Sequence, residues 1–179
     1  TACCSAPTWP ARCIADDVLR MKQIPLAIGA FGDGPQRRFA NFVPAGNAAA
    51  LEHLRADALS APVYLWGPPG SGKSHLLHAL VHERQARGQR CGCFCADDPT
   101  PWTLDPGWSL VVLDDCQRFD AAQQQAAFAL FVDAVTFGVE VAAAGDVPPV
   151  DLPLREDLRT RLGWGHVYAL QPLGEAETR

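Results

Sequence analysis

The residues best suited to chemistry form one octapeptide that matches the pattern G-x-x-x-x-G-K-[ST]. It consists of Gly67, Pro68, Pro69, Gly70, Ser71, Gly72, Lys73 and Ser74. Glycines at these positions let backbone N–H groups close around phosphate oxygens, and a helix start adds partial positive charge. The ammonium of Lys73 can reach the terminal phosphates, while the hydroxyl of Ser74 can bind Mg²⁺. The octapeptide therefore predicts a binding site for ATP or ADP with Mg²⁺.

A second acidic motif lies downstream, where the apolar run 109–113 ends in Asp114 and Asp115. In phosphate-loop proteins an Asp at the end of a neighbouring strand holds Mg²⁺ opposite the loop hydroxyl. Asp114 is the candidate for this metal role. Asp115 is the candidate for polarising the attacking water, although it is shorter than the Glu that usually does so. The alternative is a solvated loop or a helix N-cap, where such carboxylates are common.

These residues need a scaffold of alternating strands and helices, and the sequence pattern predicts one. Strand-like apolar runs alternate with helical segments along the body of the chain. The predicted strands are 63–66, 91–95, 109–113, 139–144 and 166–170, and the predicted helices are 73–87, 121–137 and 155–162. Apolar strands separated by helices indicate an α/β fold with a parallel sheet that is covered on both faces.

Composition limits the classes of protein to which the chain could belong. It has 179 residues, 48% of them hydrophobic, which suits one globular domain with a core. The formal net charge is -5, so the chain lacks the basic surface of an independent nucleic-acid binder and any DNA contact is expected to be indirect. No apolar run approaches the ~20 residues that cross a bilayer. We expect a cytoplasmic protein without membrane contact.

Cysteines are not arranged as a disulfide framework, since there are seven and three lie within the first 13 residues. Cys91, Cys93 and Cys95 alternate with other residues, which predicts that their sulfurs share one strand face. The expected role is that of small apolar residues on the inward face of a buried strand. A zinc site is the alternative.

Two sets of ring-bearing side chains are interpreted as packing residues. His75, His78 and His82 share one helix face, but no carboxylate or cysteine on that helix would complete a metal site. Trp66 and Trp164 are expected to be core or pocket-wall residues.

Four ordered motifs resemble the AAA+ ATPases of the bacterial replication initiator DnaA family. They are residues 39–47, 75–79, 145–149 and 159–165. The resemblance covers 39–179 and implies a five-stranded αβα nucleotide-binding base domain. It places Asp146 in the sensor 1 loop and Arg161 at the arginine-finger position, which acts on a neighbour's nucleotide. It also implies that Asn41, Phe42 and Val43 line the adenine side. The family's helical lid is expected to be absent from this chain.

The N-terminal segment completes the sequence-based interpretation. Translation is expected to begin at Met21, with residues 1–20 a non-native or disordered extension and 29–38 a linker. Residues 21–28 look like a peptide that binds the sliding clamp of DNA polymerase. Its clamp-contacting residues would be Gln23, Ile24, Leu26 and Ile28. An extended peptide of this kind inserts alternate apolar side chains into a groove, while its Gln supplies a hydrogen bond.

The resemblance and the clamp peptide together predict a regulator of replication initiation that promotes ATP hydrolysis by DnaA in trans, with weak hydrolysis of its own. Self-association remains open. The alternatives are a DnaA-like initiator ATPase, which would need a DNA-binding domain, and a helicase loader, which would not be expected to carry the clamp peptide. A small-molecule kinase would need an acceptor pocket for which the sequence offers no residues.

Overall fold

A computed structural model describes residues 37–172 as one parallel sheet flanked by helices. The strands are β1 (Val63–Trp66), β2 (Arg90–Phe94), β3 (Trp108–Leu113), β4 (Glu140–Gly145) and β5 (His166–Ala169). Their order across the sheet is β2-β3-β4-β1-β5, and all four neighbouring pairs are parallel. The predicted α/β class with a five-stranded parallel sheet is therefore confirmed.

The helices cover both faces of this sheet. They are α1 (Ala48–Leu54), α2 (Lys73–Ala86), α3 (Ala121–Thr136) and α4 (Glu156–Leu162). Four short 3-10 turns lie at Phe39–Asn41, Ala45–Asn47, Cys116–Arg118 and Pro149–Asp151. None of the helices in the described part of the chain is long and apolar enough to cross a membrane.

Two hydrophobic clusters form the core, one on each face of the sheet. The residues of β3 alternate between them, with Leu110 and Val112 in the cluster that contains α2 and with Val111 and Leu113 in the cluster that contains α3. A strand sends successive side chains to opposite faces, so a central strand with helices on both sides must be apolar throughout. This explains the continuous apolar run before the Asp pair.

The cysteine triplet is in part a packing feature. Cys93 is buried in the α2-side cluster and Cys91 packs against it, while burial raises the pKa of Cys91 to about 11 and keeps the thiol protonated. Cys95 lies beyond the end of β2, because the side chain of Asp98 accepts a hydrogen bond from its backbone N–H and the chain turns. The strand therefore ends one residue before the predicted end at Cys95, and Cys95 lies outside it. Residues 37–172 contain no group of three or more side chains that could hold a metal ion, so the zinc alternative has no support there.

The strand order brings the predicted site residues to one edge of the sheet. Trp66 at the end of β1 pairs with Gly145 at the end of β4, and Leu113 at the end of β3 pairs with Ala143. Because the strands are parallel, the residues that follow them leave from the same edge. Ligands of open α/β sheets bind outside such carboxyl ends.

Candidate nucleotide-binding site

The phosphate loop connects β1 to α2, and its shape requires glycine at Gly72. This residue has φ +93, and a Cβ added to it would lie 2.6 Å from the ring of Phe42. Only glycine fits such a left-handed position without strain. The helix starts at the next residue, Lys73, so the unpaired N–H groups of its first turn face the loop.

The ammonium of Lys73 is held at the mouth of the loop by three acceptors. It donates to the carbonyl oxygens of Gly67 at 2.6 Å and Pro68 at 3.1 Å. Its third contact is an ion pair with the carboxylate of Asp146 at 3.1 Å. The lysine side chain is only 7% exposed, whereas that of Asp146 is 39% exposed. The tertiary structure thus brings together the loop lysine and Asp146, the residue predicted for the sensor 1 loop, which lie far apart in sequence.

The side chains of Ser74 and Asp114 meet next to Lys73. Burial raises the pKa of Asp114, and a hydrogen bond from the side chain of Ser74 opposes this shift. The backbone N–H of Asp115 also donates to Asp114 at 2.9 Å. A hydroxyl and a carboxylate in contact are the oxygen ligands that Mg²⁺ prefers, so the residues present fit the predicted ion.

Ser71 supplies a separate indication that the loop holds an anion. Its hydroxyl is buried, and no hydrogen-bond partner for it lies among residues 37–172. A buried polar group left unsatisfied costs about 1–3 kcal/mol. A phosphate oxygen in the loop would accept a hydrogen bond from this hydroxyl.

Asp115 lies at the start of the 3-10 turn that follows β3. It has a left-handed φ of +52, and its side chain does not cap the turn. Its carboxylate instead pairs with Arg118 at 3.5 Å and accepts a hydrogen bond from Gln117 at 3.4 Å. Asp115 therefore follows Asp114 directly but contacts Arg118 and Gln117. That Asp115 polarises the attacking water stays a prediction.

The adenine-side segment reaches the phosphate loop through one residue. Phe42 is buried, packs against Gly72 and meets the ring of His75 edge to face, with centroids 5.4 Å apart. Val43 is 45% exposed, and Asn41 is also on the surface. Residues 41–43 therefore lie next to the phosphate loop, as expected for a segment on the adenine side of the site. Their contact with adenine stays a prediction.

Arg161 is not brought to the phosphate loop. It lies near the end of α4. The chain that follows α4 reaches the amino end of β1, where the backbone N–H of His166 donates to the carbonyl of Pro62 at 2.8 Å. The loop lies beyond the other end of β1, a strand about 13 Å long. The guanidinium of Arg161 is over the rings of Phe128 and Trp164, at 5.4 and 5.0 Å.

The tryptophans have the predicted core or pocket-wall positions, and His75 has a packing contact. Trp66 packs against the α3-side cluster as expected. Trp164 is 65% exposed and lines a shallow groove on α3 and α4, which agrees with the predicted pocket-wall role, and no element among the described residues covers it. His75 contacts the carbonyl of Arg38 at 3.0 Å, which agrees with packing rather than metal binding.

Sequence reasoning missed Tyr64. This residue of β1 is fully buried, and its hydroxyl donates to the backbone carbonyl of Val147 at 2.9 Å, directly after Asp146. A tyrosine within an apolar strand looks like an ordinary core residue, so only the tertiary structure reveals the contact. The predicted clamp peptide, residues 21–28, lies outside the described residues.

Comparison with solved structures supports the fold assignment. The chain is similar to AMPPCP-bound DnaA from Aquifex aeolicus, with a TM-score of 0.67, 24% identity and coverage of 77% of this chain and 51% of the other. It is also similar to domain III of the replication initiation protein DnaA from Thermotoga maritima, with a TM-score of 0.68 and 22% identity. That similarity covers 80% of this chain and 70% of the other. A third similar structure is that of DnaI, with a TM-score of 0.61, 13% identity and coverage of 79% of this chain and 90% of the other. The sequence matches no protein-family model.

The fold and the phosphate-loop motif define an α/β domain of the phosphate-loop type. More narrowly, its architecture is similar to that of domain III of Thermotoga maritima DnaA. The chain spans about half the length of the AMPPCP-bound DnaA chains to which it is similar.

Proposed function

We propose that this chain is an adenine-nucleotide-binding regulator of bacterial replication initiation. In this proposal it binds ATP or ADP with Mg²⁺, docks on the sliding clamp and promotes ATP hydrolysis by DnaA in trans. The observation that carries the nucleotide part is the convergence of Lys73, Ser74, Asp114 and Asp146 at one edge of the sheet. These residues come from three different strand ends, and their meeting has no role in the hydrophobic core.

Each residue has a distinct task in binding. Lys73 offers a charge-assisted hydrogen bond to the terminal phosphates, which is stronger than a neutral one. Ser74 and Asp114 would hold Mg²⁺, which neutralises phosphate charge when bound. Ser71 supplies the buried hydroxyl that lacks a partner among residues 37–172. The preference for adenine is supported by the AMPPCP bound to the DnaA structure that this fold resembles.

The regulatory part rests on residues at some distance from the loop. Arg161 lies near the end of α4, so its guanidinium is better placed for a neighbour's nucleotide than for its own. A planar guanidinium stabilises charge on a transferring phosphoryl group, and fingers of this type contribute about 10³–10⁵ in rate. Together with the peptide Gln23–Ile28, this makes the chain similar to Hda, a DnaA-related regulator that partners with the DNA-loaded clamp.

Nucleotide binding is tested by thermal unfolding. A ligand at 100 times its Kd stabilises the native state by about 2.7 kcal/mol, which raises the melting temperature of a domain of this size by about 5–10 °C. Lys73→Ala should abolish most of this rise with Mg-ADP. Arg87→Ala, at the other end of α2 with exposed partners, is the matched control and should keep it. An equal rise in both variants would contradict the site.

The regulatory role is tested by reconstitution with purified DnaA, DNA-loaded clamp and ATP. We expect this chain to accelerate phosphate release by DnaA only when the clamp is present. A helicase loader would instead deliver helicase to DNA without clamp, and an initiator would bind origin DNA directly. Either of those results, with no change in hydrolysis, would replace the regulator proposal.

A further inference from the structure

Tyr64 has an environment that its neighbours in β1 do not share. Its side chain is fully buried in the α3-side cluster, yet its hydroxyl reaches the loop after β4 and donates to the carbonyl of Val147 at 2.9 Å. Burial raises the pKa of Tyr64, with smaller contributions from Cys116 and Asp146, so the hydroxyl stays protonated and remains a donor. A phenylalanine would fill the same space without reaching this carbonyl.

The same hydroxyl also fixes the residue on the other side of Asp146. A Cβ added to Gly145 would lie 2.2 Å from the oxygen of Tyr64, a distance that no real side chain could adopt. The chain can therefore approach Tyr64 this closely only because residue 145 is glycine. Tyr64 thus touches both residues that flank Asp146, one by close packing and one by a hydrogen bond.

Asp146 is in turn one of the three acceptors that hold the ammonium of Lys73. We propose that Tyr64 is a positioning residue for nucleotide binding, which acts by holding the loop after β4 so that Asp146 restrains Lys73 at the phosphate loop. This inference rests on the proposed nucleotide binding at Lys73. It adds a buried residue that would contact neither phosphate nor metal.

The physical reason is the cost of ordering a lysine side chain. A lysine loses up to about 2 kcal/mol of rotamer entropy when it is fixed in one conformation. While Asp146 holds Lys73 before nucleotide arrives, binding does not incur this cost again. Without the hydroxyl of Tyr64, the carbonyl of Val147 loses its bond, the loop relaxes, and Lys73 must be ordered during binding.

The test compares the two tyrosines of the chain, Tyr64 and Tyr168. Binding of Mg-ADP is measured by isothermal titration calorimetry for the parent, Tyr64→Phe and Tyr168→Phe. We expect Tyr64→Phe to raise the Kd by about threefold or more, the size of one lost hydrogen bond. Tyr168→Phe should leave it unchanged, because Tyr168 lies on β5 and contacts histidine rings. An unchanged or lower Kd for Tyr64→Phe would overturn the inference.

A double-mutant cycle separates positioning from general loosening of the fold. Asp146→Ala should also raise the Kd, and Tyr64→Phe should add nothing on that background because it acts through Asp146. If the two substitutions raise the Kd by independent factors that multiply in the double variant, Tyr64 is merely structural and the inference is wrong. Melting temperatures without nucleotide show whether Tyr64→Phe stays folded, with an expected loss of about 2–4 °C. Should that variant unfold, Asp146→Ala and Asp146→Asn in the otherwise native chain decide: unchanged Kd values overturn the inference.

The proposed function fails in a different way from this inference. A parent chain that does not bind Mg-ADP contradicts the nucleotide site itself, and with it the role of Tyr64. A parent that binds, with a Tyr64→Phe variant that binds equally well, contradicts the positioning role alone.

Discussion

The guanidinium of Arg161 lies over the indole ring of Trp164, with Cζ 5.0 Å from the ring centroid, and the ring of Phe128 is 5.4 Å away. Cation–π contacts of this kind contribute about 0.5–1 kcal/mol at exposed sites. They hold the charge of Arg161 at the surface of α4, beside a tryptophan that is 65% exposed. A partner that approached this surface would therefore meet an ordered cation.

Arg161→Ala is expected to eliminate clamp-dependent stimulation of ATP hydrolysis by DnaA, since a finger in trans contributes about 10³–10⁵ in rate. Binding of Mg-ADP and capture by the clamp should be unchanged. The measurement is phosphate release by DnaA with clamp and DNA present. Arg159→Ala, two residues earlier on the same helix, is the control. Full stimulation by Arg161→Ala, above all with failure of Arg159→Ala, would contradict the role and favour a surface or C-terminal capping arginine.

Gln23→Ala combined with Leu26→Ala is expected to abolish capture of the chain by immobilised sliding clamp. The pair removes the hydrogen-bonding amide and one apolar anchor of the proposed peptide. Pro25 stays in place, because it restricts the unbound chain toward extended conformations and so lowers the ordering cost. The melting temperature should not change. Capture at the parent level by this double variant would refute the assignment of residues 21–28.

Arg84→Met is expected to lower the free energy of unfolding by about 3–5 kcal/mol, the usual cost of removing one partner of a buried ion pair. Arg84 is fully buried, pairs with Glu140 at 3.0 Å and donates to the carbonyls of Ala56 and Asp57. Urea unfolding measures the loss. Arg87→Ala on the same helix removes only exposed pairs and should cost less than about 1 kcal/mol. Similar losses for the two variants would mean that Arg84 is not buried as described.

His78→Gln is expected to reduce the loss of stability between about pH 6.5 and pH 4. Burial, with smaller contributions from Arg37 and His75, lowers the pKa of His78 to about 4. In that window the unfolded chain binds a proton at this position and the folded chain does not, so stability falls as pH falls. Unfolding free energies of parent and variant at pH 7 and pH 5 test the difference. His82→Gln, an exposed residue on the same helix, should follow the parent. A variant with the parent's pH dependence would contradict the shift.

The sequence by itself determined the features that depend on contiguous residues. The phosphate loop is one octapeptide between an apolar strand and a helix, so its conformation follows from local glycines and the helix start that Lys73 provides. The same holds for the strand–helix alternation, because each element buries its own apolar pattern. The predicted boundaries of β1 and β3 differ from those observed by one residue at most.

Only the tertiary structure decided which distant residues meet. The order β2-β3-β4-β1-β5 inserts β4 between β3 and β1, and this brings Asp146 to Lys73 and Val147 to Tyr64. Strand order depends on long-range pairing that no local pattern encodes. Exposure has the same origin: Trp164 remains on the surface because no described element packs over the end of α4. Burial depends on what covers a residue, and that is a property of the whole fold.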